Sequence, residues 1–377
     1  MPAVPPESSM RDVLRNLLQY GDLSFRDFVE LALYHPVFGY YARGENPVGR
    51  EGDYVTAPVL SPVFSFAISR LVRELVRRSE GAVCSIVDIG CGDGGLIESV
   101  ARGPWPDASA VRFFGVDREL GRAAPGASTT GRLVHYVRTI DELPRDGAHL
   151  FLSNELYDAF PFARLVRRGE HLHELWVRER DGILDWTEHE APAAYDDYFA
   201  DRGIELAEGQ FADVSLEWGA FHADVVRFLQ RGLIVTIDYG YPAKTLFHPR
   251  ARRFGTAAAY AGQRVSRDLL SNPGEQDLTA HINFSDLERE GEHHGATTLF
   301  FDRLARFLLS LGITEHELFR PVHEMTIESP EQGMELMEAR EEARRLVLPD
   351  GIGEEMRVLV QAKNVELDGW SFQTFFR

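Results

Sequence analysis

A doubly wound α/β architecture, preceded by a helical segment and interrupted by an antiparallel meander, is expected for this chain on three observations. From residue 84 onward, apolar runs of strand length alternate with helix-length segments. A glycine-rich turn, Gly90 to Gly95, follows the first of those runs. Residues 162–188 instead read as antiparallel strands about Asp181-Gly182, a dipeptide that favours a tight hairpin turn. A length of 377 residues suits one large domain with insertions, or two domains sharing an interface.

Taken in order, residues 10–36 read as two helices. Val13, Leu14, Leu17 and Leu18, then Phe25, Phe28, Val29, Ala32 and Leu33, recur at helical spacing. Ser24 is placed to cap the second. A loop rich in glycine and aromatic residues runs from His35 to Pro58, and a third helix is expected over 62–79. Strands are expected at 84–90, 111–117, 133–138 and 148–153, then at 233–237, 296–301 and 355–362, with a helix over 216–231. The expected division is a helical cap at 1–80, the sheet at 81–161 and 216–377 with a substrate-side insertion at 240–290, and the meander with its loop at 162–215.

Composition narrows the partners. The formal net charge is -19, with 59 acidic against 40 basic residues, which opposes binding to a phosphate backbone. The basic runs Arg164 to Arg168 and Arg250 to Arg253 read as solvated faces. Cys84 and Cys91 sit at opposite ends of one expected strand, too far apart for a disulfide, so a reducing compartment is expected. The first ten residues lack a basic leader and an apolar block, and no apolar stretch is long enough to span a bilayer. A cytoplasmic protein without membrane or nucleic-acid partners is the expectation. His171 with His173, and His293 with His294, lack a third ligand at a metal spacing, so no metal is expected.

The glycine turn carries the first functional signal. Glycines between a strand and a helix let backbone N–H groups approach a ligand closely. Read as Gly90-x-Gly92-x-x-Gly95, the stretch also fits a dinucleotide-binding Rossmann turn, with Asp117 ending the next strand where it would meet ribose hydroxyls. Asp88 tips the choice. An acid two residues before Gly90 suits a cofactor carrying an ammonium and a sulfonium, S-adenosylmethionine, and would repel a pyrophosphate. The expected cofactor residues are Asp88, Gly90, Gly92, Gly94, Asp117 and Asp141, the last reaching the adenine amine unless it only closes a turn.

Ligands of open parallel sheets bind beyond the carboxyl ends of strands, which points to Asn154, Glu155 and Asp158 after the fourth strand. The two acids can grip a guanidinium, or can simply cap the following turn.

Six ordered motifs span most of the chain. They are Leu33-Tyr34-His35-Pro36 with Gly39-Tyr40-Tyr41, then Gly52 to Pro58, Asn154 to Pro161, Ile237 to Tyr241, Phe254-Gly255-Thr256 and Pro273 to Phe284. Together they resemble the MidA-like methyltransferases, a family that includes protein arginine methyltransferases of the mitochondrial complex I assembly type. The resemblance implies a class I methyltransferase with a Rossmann-like sheet, S-adenosylmethionine as cofactor and N-methylation of a protein arginine. It also brings Asp53, Tyr54, Thr56, Asp277 and His281 toward the acceptor side, where Asp238 already stands at the end of a buried strand. The family's glycine loop usually begins with Glu and ends Gly-Arg-Gly-Thr-Leu. Here Asp88 and Gly92-Asp93-Gly94-Gly95-Leu96 stand in those places. A small-molecule methyltransferase and an assembly factor that binds the cofactor without turnover are the other readings; a nicotinamide oxidoreductase is disfavoured by Asp88.

Overall fold

The computed structural model describes residues 8–42, 62–103, 105, 110–120, 133–262, 264–325 and 329–372. The N-terminal segment forms α1 (Met10–Leu18), β1 (Leu23–Ser24) and α2 (Phe25–Tyr34), followed by α3 (Pro62–Arg78). Ser24 caps α2 as expected, its hydroxyl accepting the Asp27 N–H at 3.1 Å. The apolar stripe Phe25, Phe28, Val29, Ala32 and Leu33 is buried.

The sheet begins with β2 (Cys84–Ile89), α4 (Gly95–Ala101), β3 (Val111–Val116), β4 (Val134–Val137) and β5 (Ala148–Asn154). The insertion follows as β6 (Ala163–Arg168), β7 (His171–Arg180), β8 (Ile183–Glu190), α5 (Ala193–Ala200) and β9 (Phe211–Val214). Then come α6 (Glu217–Phe228), β10 (Gly232–Tyr241) and α7 (Ala243–Leu246). A small second insertion holds β11 (Ala258–Ala261), β12 (Arg264–Ser266) and β13 (Asp277–Thr279). The chain closes with β14 (Ile282–Asn283), α8 (Phe284–His293), β15 (Thr297–Arg303), α9 (Leu304–Ser310), α10 (Pro330–Arg345), α11 (Ile352–Glu355) and β16 (Met356–Lys363).

The main sheet has the order β15-β16-β10-β5-β2-β3-β4. Strands β10, β5, β2, β3 and β4 run parallel, while β16 and β15 are antiparallel additions at one edge. From β2 the chain moves outward to β3 and β4, then returns to lay β5 on the other side of β2. The topological switch therefore falls between β2 and β5, where ligands of such sheets bind. Alternation along the strands feeds two packed layers. Ile86, Leu150, Leu152 and Val235 pack toward α3 and α9, whereas Val87, Ile89, Phe151 and Ile234 pack toward α6.

Strand β10 runs on to Tyr241, paired with β16 as far as Tyr239↔Met356 and with β14 beyond. Asp238, read from sequence as ending the strand, is instead inside it, because β16 and β14 supply partners that the local pattern does not reveal. Helix α6 ends at Phe228, short of the expected 231. The meander is as read, with Asp181 and Gly182 both at positive φ, 54° and 80°, in the turn between β7 and β8. Its sheet also takes in β1, through Leu23↔Val177, so the N-terminal segment and the insertion share one sheet. Among the described residues, no helix is long and apolar enough to cross a membrane.

Asp213 joins the meander to the second insertion. Fully buried, it accepts Arg164 Nη1 at 2.6 Å and the N–H groups of Thr256 and Ala257 at 2.6 and 2.8 Å. Asp213→Ala should lower unfolding free energy by about 3 kcal/mol, since it strands a largely buried guanidinium and two buried donors. Urea denaturation measures this; a loss below about 1 kcal/mol would mean the two insertions are held together elsewhere.

Candidate functional site

A cleft of about 1090 Å³ opens at the carboxyl ends of β2, β3, β4 and β5. Its floor is the glycine turn. Gly90 and Gly92 sit at φ of 75° and 55°, in the left-handed region, and both line the cleft. A Cβ on Gly92 would meet nothing within 4 Å, so the absent side chain leaves room on the ligand side. Gly94 differs from expectation. A Cβ there would lie 2.2 Å from the Tyr136 hydroxyl, so this glycine lets the turn pack on Tyr136 and is not on the cleft wall. Asp93 accepts the Gly95 N–H at 2.9 Å at the start of α4.

Asp88 is buried on the cleft wall, and burial, with Asp117 and Asp93 nearby, pushes its carboxyl up to about 8. Among the described residues no cation contributes to that balance. A positively charged ligand would relieve the cost, and a pyrophosphate would add to it. Asp117 accepts the N–H groups of Gly92 at 3.0 Å and Glu119 at 2.8 Å, which fixes the turn while the carboxylate still lines the cleft. Asp141 lies at the far end, exposed and paired with Arg145 at 3.3 Å. Ile140, Leu156, Phe221 and Phe228 give that end an apolar wall suited to a flat ring.

At the end of β5, Asn154 donates to Glu155 Oε1 at 3.1 Å, and its own Oδ1 is buried with no partner among the described residues. Both side chains line the cleft. Glu155 holds φ 52°, and its N–H donates to the Ile237 carbonyl at 2.9 Å, a strained conformation kept in place by the neighbouring strand. Tyr34 and Tyr41 stack at 5.4 Å on the opposite wall, Tyr34 donating to the Ala159 carbonyl.

Asp158, Asp238 and Asp277 do not reach the wall; they form a buried group behind Glu155. Burial, then Asp238 and Asp277, raise Asp158 well above the carboxylate range. Burial likewise raises Asp238, which accepts the N–H groups of Tyr157 and Tyr239. Asp277 accepts the Tyr41 hydroxyl at 3.1 Å. Among the described residues neither Asp158 nor Asp238 pairs with a cation. His281 stands further out, its imidazole pushed down to about 4 by burial and then by nearby arginines. Asp53, Tyr54 and Thr56 lie outside the described residues.

Sequence reasoning gave no role to Tyr34, Tyr41 or Arg118. Arg118 sits 3.9 Å over the Tyr34 ring and pairs with Glu30 at 3.0 Å. The tyrosines belong to quoted motifs, but only folding turns that segment toward β5. Among the described residues, no group of three His, Cys, Asp or Glu is placed to hold a metal.

A glycine turn at the switch point of a doubly wound sheet, with a buried acid facing the ligand, defines a class I methyltransferase cofactor cleft. A family model described as "Putative S-adenosyl-L-methionine-dependent methyltransferase" matches residues 116–301. A crystal structure from Burkholderia thailandensis, bound to S-adenosyl-homocysteine, superposes with a TM-score of 0.82 and 29% identity, covering 98% of this chain and 94% of that one. Among curated proteins, the mitochondrial protein arginine methyltransferase NDUFAF7 of Danio rerio is 22% identical over 75% of this chain and 72% of its own length. The Caenorhabditis elegans homologue is 24% identical over 80% and 75%. The chain is thus similar, over most of its length, to S-adenosylmethionine-dependent methyltransferases.

Because Asp88 is raised in the folded protein above its ordinary value of 3.8, the native state binds the extra proton between about pH 4 and 8, and the ligand-free protein loses stability as pH rises through that window. Asp88→Asn should therefore be more stable than the parent at pH 8.5, with the difference shrinking at pH 5, and should bind S-adenosylmethionine more weakly. Urea titrations at both pH values and calorimetry check this; equal cofactor affinity would take Asp88 out of the site.

Proposed function

We propose that the protein transfers a methyl group from S-adenosylmethionine to the guanidinium of an arginine in another protein. The observation that carries this reading is the group of acids at the acceptor end: Glu155 on the wall, with Asp158 and Asp238 buried behind it and, among the described residues, no cation against those two. Like carboxyls in an apolar setting cannot all ionise together. A cationic acceptor would let them do so, whereas a neutral acceptor would leave the cost unrelieved. The animal relatives are named as protein arginine methyltransferases, which supports the same reading.

In this reading Asp88 faces the positively charged end of the cofactor, Gly92 N–H and Asp117 shape the turn beneath it, and Asp141 stands by the adenine. The buried Asn154 Oδ1 is an orphaned acceptor on the wall, suited to a donor from cofactor or substrate. When bound, S-adenosylmethionine supplies an electrophilic methyl group on a sulfonium leaving group. Glu155 holds the guanidinium through charge-assisted hydrogen bonds, aligning one nitrogen for attack and drawing positive charge from it. The proton shed by the attacking nitrogen would pass to the Glu155 carboxylate or to water, while the bound cofactor would accept the C–S electron pair as leaving group. Asp158 and Asp238 act through the field behind Glu155, a positioning role in place of the direct grip expected of Asp158. Residues 162–215 and 240–290 would wall the acceptor side. The two free cysteines support a reducing compartment, either the cytoplasm or the mitochondrial interior named for the relatives.

The test is incubation of the full chain with methyl-labelled S-adenosylmethionine and a cell extract, followed by hydrolysis and chromatography for methylarginine. Label on a small molecule or on another residue would overturn the arginine reading. Glu155→Gln should cut turnover at least about 100-fold with cofactor affinity nearly unchanged.

A further inference from the structure

Beyond the acid group, the outer side of β10 carries the opposite charge. Arg252 and Arg357 both lie against the Tyr241 ring, 4.7 and 5.1 Å from its centroid. The Tyr241 ring meets His281 at 5.7 Å, and His281 stacks on Tyr239 at 6.3 Å. Arg267, anchored to the Ala257 carbonyl at 3.0 Å, is within electrostatic reach of His281. In a chain of net charge -19, carboxylate partners for arginine are plentiful. Yet among the described residues none of these three arginines forms an ion pair. Two acids within electrostatic reach of Arg357 are engaged elsewhere, Glu354 with Arg303 and Asp302 with Arg306 at 2.9 Å. Arg357 Nη1 donates to the Glu354, Glu355 and Met356 carbonyls at 2.9, 3.2 and 3.0 Å, contacts that place it without neutralising its charge. His281 Nδ1 is buried with no partner among the described residues.

Like-charged guanidiniums gathered on one ring repel each other, and aromatic contact offsets only part of that. An anion supplied from outside would satisfy both the arginines and His281. The spacing fits a peptide: Tyr239 borders the acid group, and Tyr241 is two residues further along the same strand, about 7 Å away. An extended acceptor laid alongside would present side chains two residues apart on one face at the same interval.

We propose that Arg252, Arg267 and Arg357, gathered round Tyr241 and His281, form an anion subsite that takes an acidic side chain of the acceptor one to three residues from the arginine held by Glu155. The subsite rests on the arginine reading above and adds a sequence preference to it. The acidic patch and the basic patch then read a peptide carrying the complementary pair, arginine followed or preceded closely by aspartate or glutamate.

The experiment uses synthetic peptides with a single arginine, carrying Asp at each position within three residues on either side, and their Asn counterparts. Binding to the protein loaded with S-adenosylhomocysteine is measured by calorimetry, and methyl transfer by label incorporation. One Asp-bearing register should bind about 10-fold more tightly than its Asn form. That ratio should fall toward one in Arg252→Gln and Arg267→Gln, and persist in Arg253→Gln, a neighbour that instead bonds the Glu208 carbonyl. Equal or undetectable affinity for all Asp and Asn peptides overturns the subsite, whatever the turnover. Acid-dependent binding without methyl transfer overturns the arginine reading and leaves the subsite standing.

Discussion

Carboxyl groups buried at the carboxyl edge of a parallel sheet, with no cation beside them among the described residues, are the constraint on which the site depends. Asp88, Asp158 and Asp238 each lose hydration on folding, and the protein answers with raised proton affinity at all three and with backbone N–H donors at Asp158 and Asp238. Such groups lower the stability of the empty protein. Under the proposed function, a cationic ligand at each end of the cleft would let these groups ionise without that cost.

Everything around that edge serves to hold the acids dry and in place. Tyr157 gives its N–H to Asp238, and its hydroxyl bonds His222 at 2.9 Å. His222 in turn meets Gln361 on β16 at 2.7 Å, so the acid is connected through a buried polar chain to the antiparallel edge of the sheet. On the other side, α2 turns Tyr34 onto the cleft, and β1 binds α2 to the meander. The N-terminal segment and the insertion thus close over a site whose chemistry belongs to the sheet.

The glycine turn illustrates how one position can change without losing the architecture. Asp93 stands where the family usually carries arginine, and its side chain caps the Gly95 N–H at the start of α4. An acid at a helix N-terminus is electrostatically favourable. It also adds negative charge beside Asp88, strengthening the demand for a cation there.

Much of the fold was legible in the chain itself. The strand-length apolar runs, the glycine turn after Val87-Asp88-Ile89 and the Asp181-Gly182 hairpin all depend on local periodicity and backbone conformation, which short stretches encode. Asn154, Glu155, Asp88 and Asp117 were legible because strand ends in a parallel sheet meet ligands wherever the loops lead. The depth of Asp158 and Asp238 was not, since it follows from β14 and β16 pairing onto β10 from more than 40 residues away. Gly94 facing Tyr136, Tyr34 and Tyr41 facing the cleft, and three arginines meeting at Tyr241 are likewise products of the tertiary structure. Each joins residues distant in sequence, and no local pattern records which side chains the packed layers bring into contact.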